Sequence, residues 1–137
     1  MATDTLGIAV PDDGTRPISA RVAADLSSDQ YLAMTWSGDR TITRQASAGG
    51  TVCGILQDAP NGATTETVGS LKCSGFTYII SGGTCTVGGV GTVVVTTGRF
   101  VDATGSDVEA PVRFVEGTTT DGDRIIAQLI HAHRETP

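Results

Sequence analysis

Residues 31–57 read YLAMTWSGDRTITRQASAGGTVCGILQ, and their pattern decides the fold class. Residues 31–36 (YLAMTW) form an apolar, β-favouring run that stops at the polar turn Ser37-Gly38-Asp39. Residues 41–45 (TITRQ) alternate at period two and predict the returning strand. Ala48, Gly49 and Gly50 then separate this hairpin from residues 51–57 (TVCGILQ), an apolar run with little polar alternation. Such a run fits a strand covered on both faces, hence a central one.

The same grammar continues toward the C-terminus. Residues 58–62 (DAPNG) make a loop in which Asn61-Gly62 tolerates positive φ. Strands are predicted at 64–68, 71–73 and 76–80, then, beyond a Gly-dense stretch at 82–91, at 92–96 (TVVVT). Thr97-Gly98 turns the chain into 99–101. A polar loop at 103–110 follows, and 111–115 and 124–130 (RIIAQLI) make a last hairpin around a loop at 117–123. No window carries a capped helical period. The predicted fold is all-β, a compact β-sandwich or small β-barrel. One internal echo supports it. Residues 54–68 and 113–126 each give an apolar strand, an acidic residue at its end, a Gly- and Thr-rich loop and a second strand, which predicts two similar hairpins packed in one sandwich or barrel.

Toward the N-terminus the pattern fails. Pro11, Asp12, Asp13, Gly14 and Pro17 interrupt residues 1–24, while Leu6, Ile8 and Val10 alternate. Residues 1–24 are therefore read as an extended N-terminal arm and 25–137 as a single β domain, so a chain lacking residues 2–22 is expected to fold. Twenty extended residues span about 65 Å, against a radius of gyration of about 14 Å for a domain of this size. Two readings fit the arm: a strand added to a neighbour's sheet, or a disordered tail.

The totals bound the function. The chain has 137 residues, a formal net charge of −6 and nine basic residues scattered along it. A nucleic-acid partner is not expected, because phosphate binding needs a basic patch. No run approaches the roughly 18 apolar residues of a membrane-spanning helix, and the first ten residues lack a signal-peptide pattern. The cytosol is the expected compartment of synthesis. Cys53, Cys73 and Cys85 are odd in number and lack metal or redox spacing, so they are expected to be reduced, buried small hydrophobes.

Candidate chemistry is sparse. His131 and His133 would share a face of a strand, but a third metal ligand is missing at short spacing. Asp121-Gly122-Asp123 lacks the remaining positions of a calcium loop, and the glycines at 82–91 lead into a Val-rich strand, not a phosphate-binding helix. No serine sits in Gly-x-Ser-x-Gly. The expectation is a chain that is not an enzyme, with no metal and no cofactor. Trp36, the single tryptophan, fits either a core position or an interface anchor, and its place beside a polar turn favours the edge.

From residue 25 to about 130 the chain resembles the small capsid decoration (cement) proteins of tailed bacteriophages. The resemblance is carried by Asp25-Leu26-Ser27 before a strand, by Gly54-Ile55-Leu56-Gln57-Asp58-Ala59-Pro60 with Gly62 close behind, by Ser81-Gly82-Gly83-Thr84, Gly91-Thr92-Val93-Val94 and Gly98-Arg99, and by a closing hairpin with Gly122-Asp123 and Leu129-Ile130. The chain departs from that pattern at Arg113-Phe114, where a glycine is usual, and in its arm. The resemblance implies a virion protein on the capsid exterior that bridges major capsid subunits, stabilises the shell and self-associates as a dimer or trimer. Leu6, Ile8, Val10, Trp36, Pro60 and Asn61 are the candidate interface residues. The competing reading is a ligand- or carbohydrate-binding β module of a phage tail or fibre.

Overall fold

The computed structural model describes residues 14–22, 24–46, 51–60, 67–94, 96–104 and 108–134. Ten strands are formed among them: β1 (Ile18–Val22), β2 (Ala33–Gly38), β3 (Thr41–Arg44), β4 (Gly54–Leu56), β5 (Val68–Lys72), β6 (Gly75–Ile80), β7 (Val90–Val93), β8 (Phe100–Asp102), β9 (Val108–Phe114) and β10 (Arg124–Arg134). The first five close into a barrel of order β1-β3-β2-β4-β5, and the last five form an open sheet of order β6-β10-β9-β7-β8. The all-β class is as expected, with barrel and open sheet side by side. Among the described residues no helix is long and apolar enough to cross a membrane.

Period-two alternation fills the barrel. Ala20, Val22, Met34, Ile42, Leu56 and Leu71 are buried together in its interior. On β4 the neighbouring Ile55 points the other way, into a second cluster with Ile79, Phe100, Val112, Phe114 and Ile125 of the open sheet. The run at 51–57 lacks polar alternation because β4 is covered on both faces. Its glycine has a steric reason: a Cβ on Gly54 would lie 2.5 Å from the Lys72 carbonyl oxygen and 2.9 Å from Leu71 Cγ.

Residues 18–22 correct the arm's boundary. They form β1, antiparallel to β5 (Ile18 opposite Leu71) and parallel to β3 (Val22 opposite Ile42). The segment is the stave that closes the barrel. Its Ile-Ser-Ala-Arg-Val alternation points Ala20 and Val22 inward and leaves Ser19 and Arg21 exposed. Most of the predicted arm, residues 1–13, lies outside the described residues.

Other boundaries move for local reasons. The strand predicted at 92–96 is β7 at Val90–Val93, because Thr96 takes φ 68° in the turn before Gly98 (φ 70°). The strand predicted at 124–130 runs on to Arg134 across a register shift between Leu129 and Ala132, where His131 has φ 49°. The short strand predicted at 71–73 is the end of β5.

The internal echo has a shared device. The Asp58 carboxylate accepts the Ser70 N–H at 3.1 Å, and the Glu116 carboxylate accepts the Ile126 N–H at 2.9 Å. In each hairpin, β4–β5 in the barrel and β9–β10 in the sheet, the acidic residue after the first strand binds the backbone of the second.

Candidate functional site

Two of the phrases on which the resemblance rests, at 25–27 and 54–60, meet in space. Asp25 accepts the Ser27 N–H at 3.0 Å in an Asx turn. That turn buries Leu26, whose N–H donates to the Pro60 carbonyl at 3.2 Å. Pro60 is buried against Gly69, where a Cβ would approach its Cγ to 3.2 Å. Its ring therefore packs inside the body and is not offered to a partner, which differs from its reading as an interface residue. Leu6, Ile8, Val10 and Asn61 lie outside the described residues.

Trp36 is 47% exposed. It stands opposite Ile42 on β3, and Ile42 in turn stands opposite Val22 on β1. Register thus gives Trp36 the parity of interior residues at the strand end where the barrel opens. Ile18 has the same parity near the other end of β1 and is half exposed. The barrel presents an apolar side chain at each mouth. On the open sheet, Val87 and Val115 are exposed and line a shallow groove with Thr86 and Gly117.

A larger cleft of about 780 Å³ lies where the barrel meets the sheet. Tyr31 joins the two halves, packing against both core clusters. Its N–H donates to the Leu56 carbonyl at 2.7 Å, and its φ of 67° is a left-handed conformation unusual for a bulky residue. Its ring meets Tyr78 edge to face, with centroids 5.4 Å apart. Arg124, opposite Ile80 and diagonal to Tyr78 in the β6–β10 ladder, sets its guanidinium 4.3 Å from the Tyr78 centroid and 6.0 Å from that of Tyr31. On the rim, Arg99 pairs with Asp121 at 2.7 Å. Behind it, Asp29 accepts two bonds from Arg44, Nη2 to Oδ1 at 2.5 Å and Nε to Oδ2 at 2.9 Å. Hydrogen bonding by Asp29 raises the pKa of Arg44, against an opposing effect of burial.

Sequence reasoning missed this cleft. Its parts come from the segment between β1 and β2, from the end of β6, from Arg99 just before β8, and from the loop at 121–123 with the start of β10. No motif announces them, and the signal available was two tyrosines and an arginine, Tyr78 and Arg124 on strands and Tyr31 in the turn before β2.

Other candidate chemistry is quiet. Among the described residues no three His, Cys, Asp or Glu side chains gather where a metal could be held. The His131 ring bonds to the Cys73 carbonyl, and the His133 side chain lies outside what the structure describes. The three cysteines are free thiols. Burial pushes Cys53 and Cys85 up to about 12 and raises Cys73, so these thiols stay protonated where a nucleophile would need thiolate.

No protein-family model matches the sequence, and no curated protein matches it. Among solved structures, the N base of the head fibre protein gp8.5 of bacteriophage phi29 superposes with a TM-score of 0.61 at 13% identity, over 88% of this chain and 98% of that one. At that identity the likeness is one of fold, and it spans the barrel and the open sheet together.

Proposed function

We propose that the chain is a structural protein of a phage virion that sits on the capsid exterior, bridges major capsid subunits and stabilises the shell. The observation that carries this reading is the superposition on the base of a head fibre across nearly the whole of both chains. It agrees with the decoration-protein resemblance spread from Asp25 to Ile130, and both lead to phage heads. The physical character of the molecule supports it. Apolar cores pack on both sides of β4, the thiols are held protonated, and the −6 charge opposes DNA.

The test is co-sedimentation of the purified chain with phage heads stripped of their surface proteins, followed by electron microscopy of the decorated particles. Saturable binding with density on the outer surface between capsid subunits is expected. Failure to pellet with heads over a micromolar titration removes the proposal. The phi29 likeness also favours a second reading, in which the body is the base of a projecting fibre. Density rising radially from each bound body, in place of a low bridge between subunits, would select it.

A further inference from the structure

The cleft between barrel and sheet holds a cation without a counter-ion. Arg124 lines it, and its Nε is buried with no hydrogen-bond partner. Among the described residues no carboxylate pairs with it. The neighbouring charges are already engaged: Asp121 binds Arg99 at 2.7 Å, and Asp123 accepts the Thr118 hydroxyl at 2.6 Å. Tyr78 supports one face of the guanidinium. This stacking orients the fork but leaves its in-plane donors to something else, and planar bidentate donors match a carboxylate. A partly buried charge without a partner is costly, and an incoming anion would relieve that cost.

We infer that this cleft binds an acidic sugar, with the sugar carboxylate on Arg124 and its hydroxyls on the polar walls. The size fits, since about 780 Å³ lies within the range of small-molecule sites. The lining also includes Ser27, Ser28 and Tyr31, together with Gln30, whose amide N–H donates to the Gln57 carbonyl at 3.1 Å and leaves its oxygen as an acceptor; these residue types suit a polyhydroxylated ring with an apolar face. Charge decides the class. Asp121 and Asp123 stand on the same walls as Arg99 and Arg124, so a single carboxylate can take the unpaired Arg124 fork, while a phosphodianion or polyanion also meets two aspartates. The inference goes beyond attachment to the capsid: a body fixed on the particle would also hold an acidic glycan.

Amide and Arg Nε–H NMR spectra of the full chain, titrated with sodium glucuronate, N-acetylneuraminate, glucose, inorganic phosphate and a triglutamate peptide, test it. Saturable shifts at Arg124, Tyr31 and residues 27–30 with the two acidic sugars are expected, with glucose at least about tenfold weaker. R124Q should lose about tenfold or more in acidic-sugar affinity. R124K, which keeps the charge without the fork, should fall well below the native chain, and both variants should melt like it. Equal binding of glucose, equal or tighter binding of phosphate or the peptide, or no saturable shift in the cleft overturns the inference. R124Q should still pellet with phage heads, which separates failure here from failure of the capsid reading.

Discussion

At the scale of single residues, the Asp29–Arg44 pair shows how unequal two partners can be. Asp29 is 2% exposed, whereas the Arg44 side chain is 39% exposed. Removing Arg44 strands a carboxylate in the interior, and R44M should cost about 3–5 kcal/mol. Removing the charge of Asp29 leaves a guanidinium that water still reaches, so D29N should cost only about 1–2 kcal/mol. Urea unfolding of the two variants checks this order, and a D29N loss equal to or above that of R44M would refute it. The thiols set a second residue-scale expectation. Cys53 and Cys85 rise from the ordinary 9.0 to about 12 on folding. Below pH 9 both folded and unfolded chains keep these protons. Between about 9 and 12 the unfolded chain releases them and the folded chain does not, so stability falls as pH rises through that window. Melting temperature should drop from pH 8.5 to pH 10.5, and C53A should flatten the drop relative to its own value at pH 8.5. An unchanged slope in C53A would mean that its thiol does not drive the loss.

At the scale of elements, β1 is the test of what the sequence made legible. Runs with strong β-branched or aromatic character were readable, and β2, β3, β4, β6 and the β9–β10 hairpin stand close to their predicted places. β1 was missed although Ile18, Ala20 and Val22 alternate, because Pro17 and the acidic turn before it resemble a linker and alanine is a weak apolar signal. Its partners were beyond local reading. A parallel pairing of β1 with β3 joins segments separated by the β2 strand, and nothing in a window of residues encodes it. The sites were legible to different degrees. Trp36 was found at an exposed strand end, Pro60 was placed outside although it packs inside, and the Tyr31–Tyr78–Arg124 group, assembled from three elements, was not seen. The corrected role of β1 reverses an expectation. Deleting residues 2–22 removes a stave, unpairs β3 and β5, and strips Ala20 and Val22 from the barrel interior. That deletion should yield a chain without a cooperative melt, whereas deleting residues 2–13 should leave a transition within a few degrees of the full chain. A cooperative, native-like melt after the 2–22 deletion would show that the barrel closes without β1.

At the scale of the whole molecule, the proposed attachment to a capsid requires a docking face, and the distribution of exposed apolar side chains limits the choice. Trp36 stands at a mouth of the barrel, whereas Val87 and Val115 flank a groove on the open sheet. The barrel is closed and so has no strand edge to extend. In the open sheet, edge positions belong to β6 and to the three-residue β8. A neighbour approaching the barrel must therefore engage side chains and not backbone, and tryptophan is the residue type that most often dominates such contacts. W36A is expected to weaken binding to stripped phage heads by about tenfold or more, the scale of a single anchor residue. Its melt should change little, because about half of the side chain already faces solvent. The paired change V87S and V115S should leave head binding within about twofold if the barrel mouth is the docking face. Co-sedimentation titrations of the three proteins decide between the faces. Native affinity in W36A together with a large loss in the double variant would move the interface to the open sheet and set its groove, not the barrel mouth, against the shell.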